Sequence, residues 1–320
     1  MNESVPATVV LTRCDDYTTA KLPAAMDRHI ALLGGLERFI RRGDRVLLKP
    51  NFIAPKPADR AVQTHPAVIL ELARRVLDLG GRPVVGDSPA WGSVSGCAEV
   101  LGLTEPLRKL GIPLQELNHP KKLYLEKSGA WIGISKYALE ADKIINLPKF
   151  KTHQQLTATF AVKNMFGCVS GKAKPVWHYK KGGSDYKFCK LLIGIYQKLQ
   201  PVLTIIDAVE AMDGPGPING RTRKLGWLIG GTDPMACEAV CCELIGMKPE
   251  DLPMLRTARR LGFGIADLDQ IEIRGDDYKD HVCTDFQFAQ LIPIRFSLYR
   301  IIKSKTKQIL ILLSRKVRLT

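Results

Sequence analysis

Short apolar segments alternate with helical periodicity through most of the chain, and this alternation constrains the fold more than any other feature. Residues 7–12 (ATVVLT) and 44–51 (DRVLLKPN) have the β-branched, apolar character of buried strands. Residues 65–81 have apolar positions three and four apart, which predicts a helix, and a further strand ends at Asp87. This order predicts an α/β fold with a mixed or mostly parallel sheet and helices on both faces.

The same rhythm continues to residue 277, with strands predicted near 144–147, 203–206, 224–230 and 267–275. We therefore predict a single α/β domain over residues 1–284, formed by two closely joined lobes at about 1–142 and 143–284. Within it, Thr64 is the predicted N-cap of helix 65–81, and Asp233 is a predicted cap of the helix that begins at Pro234.

Residues 285–320 differ from the rest of the chain. They contain four lysines, four arginines and a single acid, Asp285, and from residue 294 to 317 apolar positions recur at helical spacing. The longest unbroken apolar run, 309–313, is far short of the ~20 residues that span a bilayer. Two interpretations remain: a basic amphipathic helix on an anionic membrane surface, or a terminal helix docked on its own domain or a second subunit.

Cysteine usage and the N-terminal sequence predict a reducing, cytoplasmic location, with peripheral membrane attachment through the tail as the alternative. The eight cysteines include no C-x-x-C pair, so their spacing does not favour a metal or iron–sulfur site. The first sixteen residues lack the basic start and apolar core of a signal peptide.

Residues 143–184 contain eight lysines and two histidines but no aspartate or glutamate. Because apolar residues occur there at ordinary core density, we predict a folded segment that faces an acidic patch of the protein or an anionic ligand. The net charge of +15 also raises nucleic acid as a partner, but the lysines alternate with buried strand positions, which disfavours that class. The loop that contains Lys172 and His178 is a predicted lid, with His178 exposed when no ligand is bound.

Ligands of α/β folds bind beyond the carboxyl ends of the strands. The polar groups that follow the predicted strands are therefore candidate site residues that we expect to share one edge: Lys49, Asn51, Thr64, His65, Asp87, Ser88, Lys149, Lys151, Thr152, His153, Asp207, Gly214 and Asp233. Phosphate-loop, dinucleotide-binding and nucleophile-elbow motifs are absent. His65, His153 and His178 can converge with Asp87 or Asp207 on a metal only if the tertiary fold brings them together.

The ordered motifs KPN, THP, GDSP, NLPKFKTH, KNMFG, DGPGP and TDPMA resemble those of the domain-of-unknown-function 362 family over about residues 5–280. The resemblance implies that Lys163 and Asn164 of the KNMFG motif also belong to the site. Many members carry a ferredoxin-like cysteine module after this domain, which implies an iron–sulfur association. Here no cysteine follows Cys283, and Glu238 stands where the family usually has aspartate.

The leading hypothesis is an enzyme that acts on a small carboxylate- or phosphate-bearing substrate. Lysines are compact partners for such anions, and four of them would hold it: Lys49, Lys149, Lys151 and Lys163. His153 would act as general acid or base, with His65 as a second candidate and Asp207 orienting one of the two. The alternatives are a redox accessory of a separate ferredoxin-like partner and a membrane-peripheral binding protein. The sequence leaves cofactor use open among metal-free chemistry, a single metal ion and, less favoured, an iron–sulfur cluster.

Overall fold

The structure, a computed structural model, describes residues 6–170, 173–296 and 306. The strands within these ranges are β1 (Ala7–Arg13), β2 (Arg45–Pro50), β3 (Arg82–Asp87), β4 (Leu114–Glu116), β5 (Pro120–Leu125), β6 (Ala130–Ser135), β7 (Lys143–Leu147), β8 (Lys149–His153), β9 (Thr157–Thr159), β10 (Leu203–Asp213), β11 (Arg221–Gly231) and β12 (Ile271–Gly275). The α-helices are α1 (Lys21–Leu32), α2 (Pro66–Asp78), α3 (Val94–Val100), α4 (Thr104–Lys109), α5 (Lys136–Leu139), α6 (Ala161–Asn164), α7 (Lys174–Lys181), α8 (Asp185–Leu199), α9 (Pro234–Glu243) and α10 (Pro253–Leu261).

One central sheet has the strand order β12-β1-β11-β10-β7-β2-β3-β4, and β8 pairs with β10 and β9 beside this path. The pairs β2–β3, β2–β7 and β7–β10 are parallel, whereas β11 is antiparallel to both β1 and β10. Strands β5 and β6 form a separate hairpin. The predicted mixed, mostly parallel sheet is therefore confirmed, and strands of the two predicted lobes lie side by side within it.

The sheet has an apolar cluster on each face. Successive residues of a strand alternate between the clusters, so that Val9 and Leu11 belong to one and Val10 to the other, as the pleat of a strand requires. Helices α1 to α4 pack on the side of Val10, and helices α6 and α8 to α10 pack on the opposite side. The strands are consequently apolar along their length, and polar side chains concentrate near their ends.

The carboxyl ends of β2, β3, β7 and β10 share one edge of the sheet because these strands are parallel. The prediction that Asp233 shares this edge is wrong. Strand β11 runs antiparallel to β10 and pairs Gly231 with Thr204, so Asp233 follows at the opposite edge. There its carboxylate accepts hydrogen bonds from the Met235 amide at 2.7 Å and the Ala236 amide at 3.1 Å, which confirms its predicted role as a helix cap.

The N-cap of α2 is His65 rather than the predicted Thr64. The His65 Nδ1 atom accepts a hydrogen bond from the Ala67 amide at 3.3 Å. The Thr64 hydroxyl instead donates to the Leu147 carbonyl at 2.6 Å and accepts from the Asn51 amide at 2.8 Å. Thr64 is therefore a structural link between the loop that follows β2 and the end of β7.

Residues 285–296 pack against the domain, with Phe286, Ala289 and Ile294 buried. The Ile292 amide donates to the Gln154 carbonyl at 2.7 Å. The predicted amphipathic helix lies mostly outside the described residues, which include only 294–296 and 306 of that stretch. In the described part of the chain, no helix combines the length and the apolar character needed to cross a membrane.

Candidate functional site

A cavity of about 400 Å³ opens at the edge where the parallel strands end. Six of the predicted site residues line it: Asn51, Asp87, His153, Lys163, Asn164 and His178. Nine others lie outside the lining: Lys49, Thr64, His65, Ser88, Lys149, Lys151, Thr152, Asp207 and Gly214. Lys172 falls outside the described residues. The strand-end rule thus brings a subset of the predicted groups to one cavity and leaves a second group around it.

Lys49 and Asp87 form a buried ion pair with a distance of 2.9 Å between Lys49 Nζ and Asp87 Oδ1. The carboxylate also accepts hydrogen bonds from the Phe52 amide at 2.7 Å and the Ser88 amide at 2.6 Å. These bonds satisfy the remaining lone pairs, which a buried ion pair needs to offset its desolvation. Because Asp87 neutralises the Lys49 ammonium, Lys49 has a structural ion pair in place of the predicted contact with a ligand.

Lys149 and Asp207 form a second buried ion pair, with 2.8 Å between Lys149 Nζ and Asp207 Oδ2. The Tyr17 hydroxyl donates to Asp207 Oδ1 at 2.6 Å and accepts from Lys149 Nζ at 2.8 Å. The His65 backbone amide donates to Asp207 Oδ2 at 2.8 Å. Asp207 therefore holds the main chain at His65 and makes no hydrogen bond with an imidazole ring, contrary to the predicted orienting role.

Tyr17 is a residue that the sequence reasoning missed. Its ring stacks on that of His65, with 3.5 Å between the centroids and an angle of 3° between the planes. Burial lowers the pKa of His65 to about 4, against the opposing effect of Asp207. Tyr17 follows β1, which runs parallel to β10 because both are antiparallel to β11. The strand-end rule applied to β1 would have identified it.

Lys151 and a row of asparagines form a hydrogen-bonded network beside the cavity. Lys151 Nζ donates to Asn51 Oδ1 and to the Val62 carbonyl. Asn51 Nδ2 donates to Asn164 Oδ1 at 2.9 Å, and Asn164 Nδ2 donates to Asn146 Oδ1 at 2.8 Å. Burial and the nearby ammonium groups lower the pKa of Lys151 well below its ordinary value. The network fixes the side-chain amides of Asn51 and Asn164, and Asn146 could have been suspected as the one polar residue of the segment IINL, residues 144–147.

Thr152 and Gly214 have a structural connection. The Thr152 hydroxyl donates to the Gly214 carbonyl at 2.8 Å. This bond joins the β8 strand to the loop after β10, whose Pro217 lines the cavity. Both residues therefore position the rim of the site without facing its interior.

Lys163 and Lys174 bring positive charge to the cavity and form no ion pair with a carboxylate of the described residues, while the Asp87 and Glu116 carboxylates favour the charged form of Lys174. Burial, assisted by neighbouring Lys174, lowers the pKa of Lys163 to about 8. Burial lowers the pKa of Lys174 to about 8 as well, and its ammonium donates to the Ser88 carbonyl. Both amines therefore stay mostly charged at pH 7. Among the described residues, the buried lysine–carboxylate ion pairs are those of Lys49 and Lys149, so Lys163 and Lys174 have no such partner.

The two histidines of the cavity lining have different tautomers. His153 Nδ1 accepts a hydrogen bond from the Gln155 amide at 3.0 Å, so in the neutral ring the proton is on Nε2. His178 Nδ1 lies 3.3 Å from the Ile294 carbonyl, which assigns its proton to Nδ1 and leaves Nε2 as an acceptor. Burial, followed by Lys163, lowers the pKa of His153 well below its ordinary value and that of His178 to about 3. His153 thus offers a donor and His178 an acceptor.

The predicted exposure of His178 is wrong. The residue lies in α7 and is buried, with its ring stacked on Phe296 at a centroid distance of 4.5 Å and tilted against Phe188 at 4.5 Å. Phe296 comes from the terminal segment, which the sequence reasoning treated as a separate tail. Lys174 and Pro175 of the same helix line the cavity, so the segment predicted as a lid forms part of its wall.

We expect the protein to lose stability as the pH falls from 7.5 to 5.5. Burial lowers the pKa of His29, His65, His153 and His178 from 6.5, so the unfolded chain takes up protons that the folded protein excludes. The stabilisation from these histidines is complete above pH 6.5 and decreases below it, by up to about 1.4 kcal/mol per pH unit for each histidine. Protonation of Glu238, whose pKa burial raises to about 8, offsets part of this loss over the same range. Urea unfolding at several pH values measures this slope.

The variant His178→Phe is expected to make this pH dependence shallower, because an aromatic side chain that does not titrate replaces one of the four imidazoles. Equal stability of the wild type at pH 7.5 and 5.5 would contradict the burial of neutral histidines.

Within residues 6–170, 173–296 and 306, no three His, Cys, Asp or Glu side chains are placed to hold one metal ion. The predicted convergence of His65, His153 and His178 on a metal is therefore not found in that part of the chain. Seven of the cysteines are buried, and Cys283 is partly exposed.

The fold is that of an α/β protein with a lysine-lined cavity at the carboxyl ends of parallel strands. The chain belongs to the family described as "Domain of unknown function (DUF362)", whose model matches residues 46–243. It is 35% identical over 300 residues to the "Thylakoid-associated protein sll1697" of Synechocystis sp. (strain ATCC 27184 / PCC 6803 / Kazusa), covering 93% of each protein. The resemblance inferred from the motifs is confirmed.

Among solved structures, the lactate racemase apoprotein from Thermoanaerobacterium thermosaccharolyticum matches with a TM-score of 0.50 and 11% identity. The match covers 76% of this chain and 58% of the racemase chain. At this identity the likeness concerns the fold alone.

Proposed function

We propose that this protein is an enzyme that binds a small organic anion, a carboxylate or a phosphate, in the cavity. The observation that carries the proposal is the pair of ammonium groups of Lys163 and Lys174, which line the cavity without a carboxylate partner among the described residues. Positive charge in a partly desolvated site is costly unless an anion compensates it. A bound carboxylate or phosphate would supply this compensation and gain charge-assisted hydrogen bonds.

The two cavity histidines are the acid–base candidates for such a ligand. Burial keeps both rings neutral, so His178 Nε2 can accept a hydrogen bond and His153 Nε2–H can donate one, and the negative charge of a bound anion would raise both pKa values towards neutrality. This division of roles differs from the sequence-based hypothesis, in which His153 and His65 were the acid–base candidates. His65 lies outside the cavity lining and packs on Tyr17.

The variants Lys163→Met and Lys174→Met test the proposal. Each is expected to weaken the binding of a ligand found by screening carboxylates and phosphates, by about ten-fold or more, because a hydrogen bond to a charged group contributes ~1.5–3 kcal/mol. Each is also expected to keep or raise the melting temperature of the unliganded protein, since a buried charge that has no ion-pair partner is removed. Isothermal titration calorimetry and thermal unfolding measure the two effects.

The matched control is Lys109→Met, which removes one positive charge from an exposed position of α4. It should alter neither affinity nor melting temperature. Unchanged affinity in both cavity variants would count against the proposed anion site.

We also propose a membrane-peripheral location for the protein. The curated relative is named for its association with thylakoids, and residues 285–320 combine eight basic side chains with one acid. In the described part of this segment, Phe288 is 42% exposed and Leu291 is 60% exposed. Exposed apolar side chains next to basic residues suit an anionic membrane surface. Co-sedimentation of the full chain with anionic vesicles tests this location.

A further inference from the structure

We propose that the ligand of the cavity carries a planar, apolar body in addition to its anionic group. This inference rests on the proposed function, because the lysines of the anion site fix one end of the ligand. It goes further by assigning a chemical class to the other end.

The size of the cavity argues against a bare small anion. Its volume is about 400 Å³, which lies within the range of sites that bind drug-sized ligands. A water molecule accounts for ~30 Å³ of the liquid, so an anion with only a few non-hydrogen atoms would leave room for roughly ten water molecules. Water is held in a protein interior by polar partners, and an apolar wall supplies none. A larger ligand would replace this water.

The apolar part of the lining is rich in ring-bearing side chains, four of them aromatic and planar. Six of them have an aromatic or proline ring: Phe52, Trp91, Phe166, Pro175, Pro217 and Phe296. Aromatic rings stabilise a planar ligand by burying its surface and by offset or edge contacts. The wall therefore matches the shape of an aromatic or similarly planar body better than that of a compact polar molecule.

The polar and apolar groups come from different parts of the fold. Asn51, Lys163 and Asn164 follow the strand ends and also line a small void beside Lys151. Ile292 and Phe296 belong to the terminal segment that packs across the domain. A ligand that contacts both groups needs an anionic end and an apolar end.

The terminal segment is held in place, so its apolar wall is preorganised. The Gln155 side-chain amide donates to the Pro293 carbonyl at 3.0 Å and to the Ile294 carbonyl at 3.1 Å. The Phe296 ring stacks on His178 with an angle of 12° between the planes. Because these contacts already order the wall, a ligand need not pay the entropy of ordering it.

The test compares 2-naphthoate, 2-naphthamide, acetate and inorganic phosphate by titration calorimetry with the full chain at pH 7. We expect 2-naphthoate to bind at least ten-fold more tightly than acetate, phosphate or the uncharged naphthamide. Ile292→Ala and Phe296→Ala should each weaken 2-naphthoate by about five-fold or more, through lost apolar contact, and leave acetate unchanged.

Leu291→Ala is the matched control, since Leu291 is adjacent to Ile292 but 60% exposed and outside the lining. It should bind 2-naphthoate like the wild type. Circular dichroism establishes that each variant is folded. If only one of Ile292→Ala and Phe296→Ala folds, that variant alone is compared with Leu291→Ala.

The outcomes separate this inference from the proposed function. If acetate or phosphate binds as tightly as 2-naphthoate, or if 2-naphthoate does not bind at millimolar concentration, the inference on the apolar body is overturned. If 2-naphthamide binds as tightly as 2-naphthoate, and if Lys163→Met changes the affinity for neither compound, the proposed anion site is rejected. If the variants Ile292→Ala, Phe296→Ala and Leu291→Ala all bind 2-naphthoate with the same affinity, the terminal segment is not the apolar wall.

Discussion

Replacement of Gly167 with alanine is expected to lower the free energy of unfolding by about 3–5 kcal/mol, the range for disrupting a buried ion pair. A Cβ atom at this position would overlap Asp87 Oδ1 and lie 2.5 Å from Lys49 Nζ and 2.6 Å from Lys49 Cε. Lys49 and Asp87 are both buried and cannot move apart without leaving charges unpaired. Urea unfolding measures the change, and ligand titration should show a weakened site because Gly167 lines the cavity.

Gly183→Ala is the matched control for this substitution. A Cβ atom at Gly183 meets nothing within 4 Å, so the variant should unfold like the wild type. If Gly167→Ala had the same stability as Gly183→Ala, the close approach of the main chain to the ion pair would not be required by the fold.

Asp207→Ala is expected to destabilise the protein by a similar amount, about 3–5 kcal/mol. The substitution leaves the Lys149 ammonium buried, with a side-chain exposure of 1%, and without its carboxylate. It also removes the acceptor of the Tyr17 hydroxyl and of the His65 amide. Chemical unfolding followed by circular dichroism measures the loss.

The double variant Lys149→Met, Asp207→Leu separates the charge effect from the hydrogen bonds. We expect it to recover much of the lost stability, since apolar residues of similar volume often replace a buried ion pair at little cost. Glu140→Ala, which breaks the exposed pair with Lys121, should have little effect. A double variant as unstable as Asp207→Ala would show that the bonds to Tyr17 and His65 dominate.

The sequence predicted the elements of the sheet and the edge that carries the site. Strand character and helical periodicity depend on local side-chain patterns, so β1, β2, β3, β7 and β10 could be identified without the structure. Strand direction depends on long-range pairing. The antiparallel course of β11 could not be deduced from its composition, and Asp233 was therefore placed at the wrong edge.

The roles of the lysines were harder to predict because a counter-ion can come from any part of the chain. Residues 143–184 contain no acid, and the sequence left two partners open: an acidic group of the protein itself or a ligand. Lys149 has an acidic group of the protein as its partner, because it pairs with Asp207, which is 58 residues away in the sequence. Lys163 and Lys174 pair with no carboxylate of the described residues, so for them the ligand remains as the proposal. The distinction between the two kinds of lysine required the tertiary structure.

The origin of the Ile292 and Phe296 wall has a consequence for biosynthesis. Every strand of the central sheet lies before residue 276 in the chain, whereas the residues that complete the cavity are translated after it. Domains fold largely as units and in order of synthesis, so the sheet can assemble before the cavity wall leaves the ribosome, and Phe286 and Ile294 of the terminal segment join one of its apolar clusters afterwards. The cavity is thus the part of the molecule that the nascent protein completes last, once its scaffold has formed.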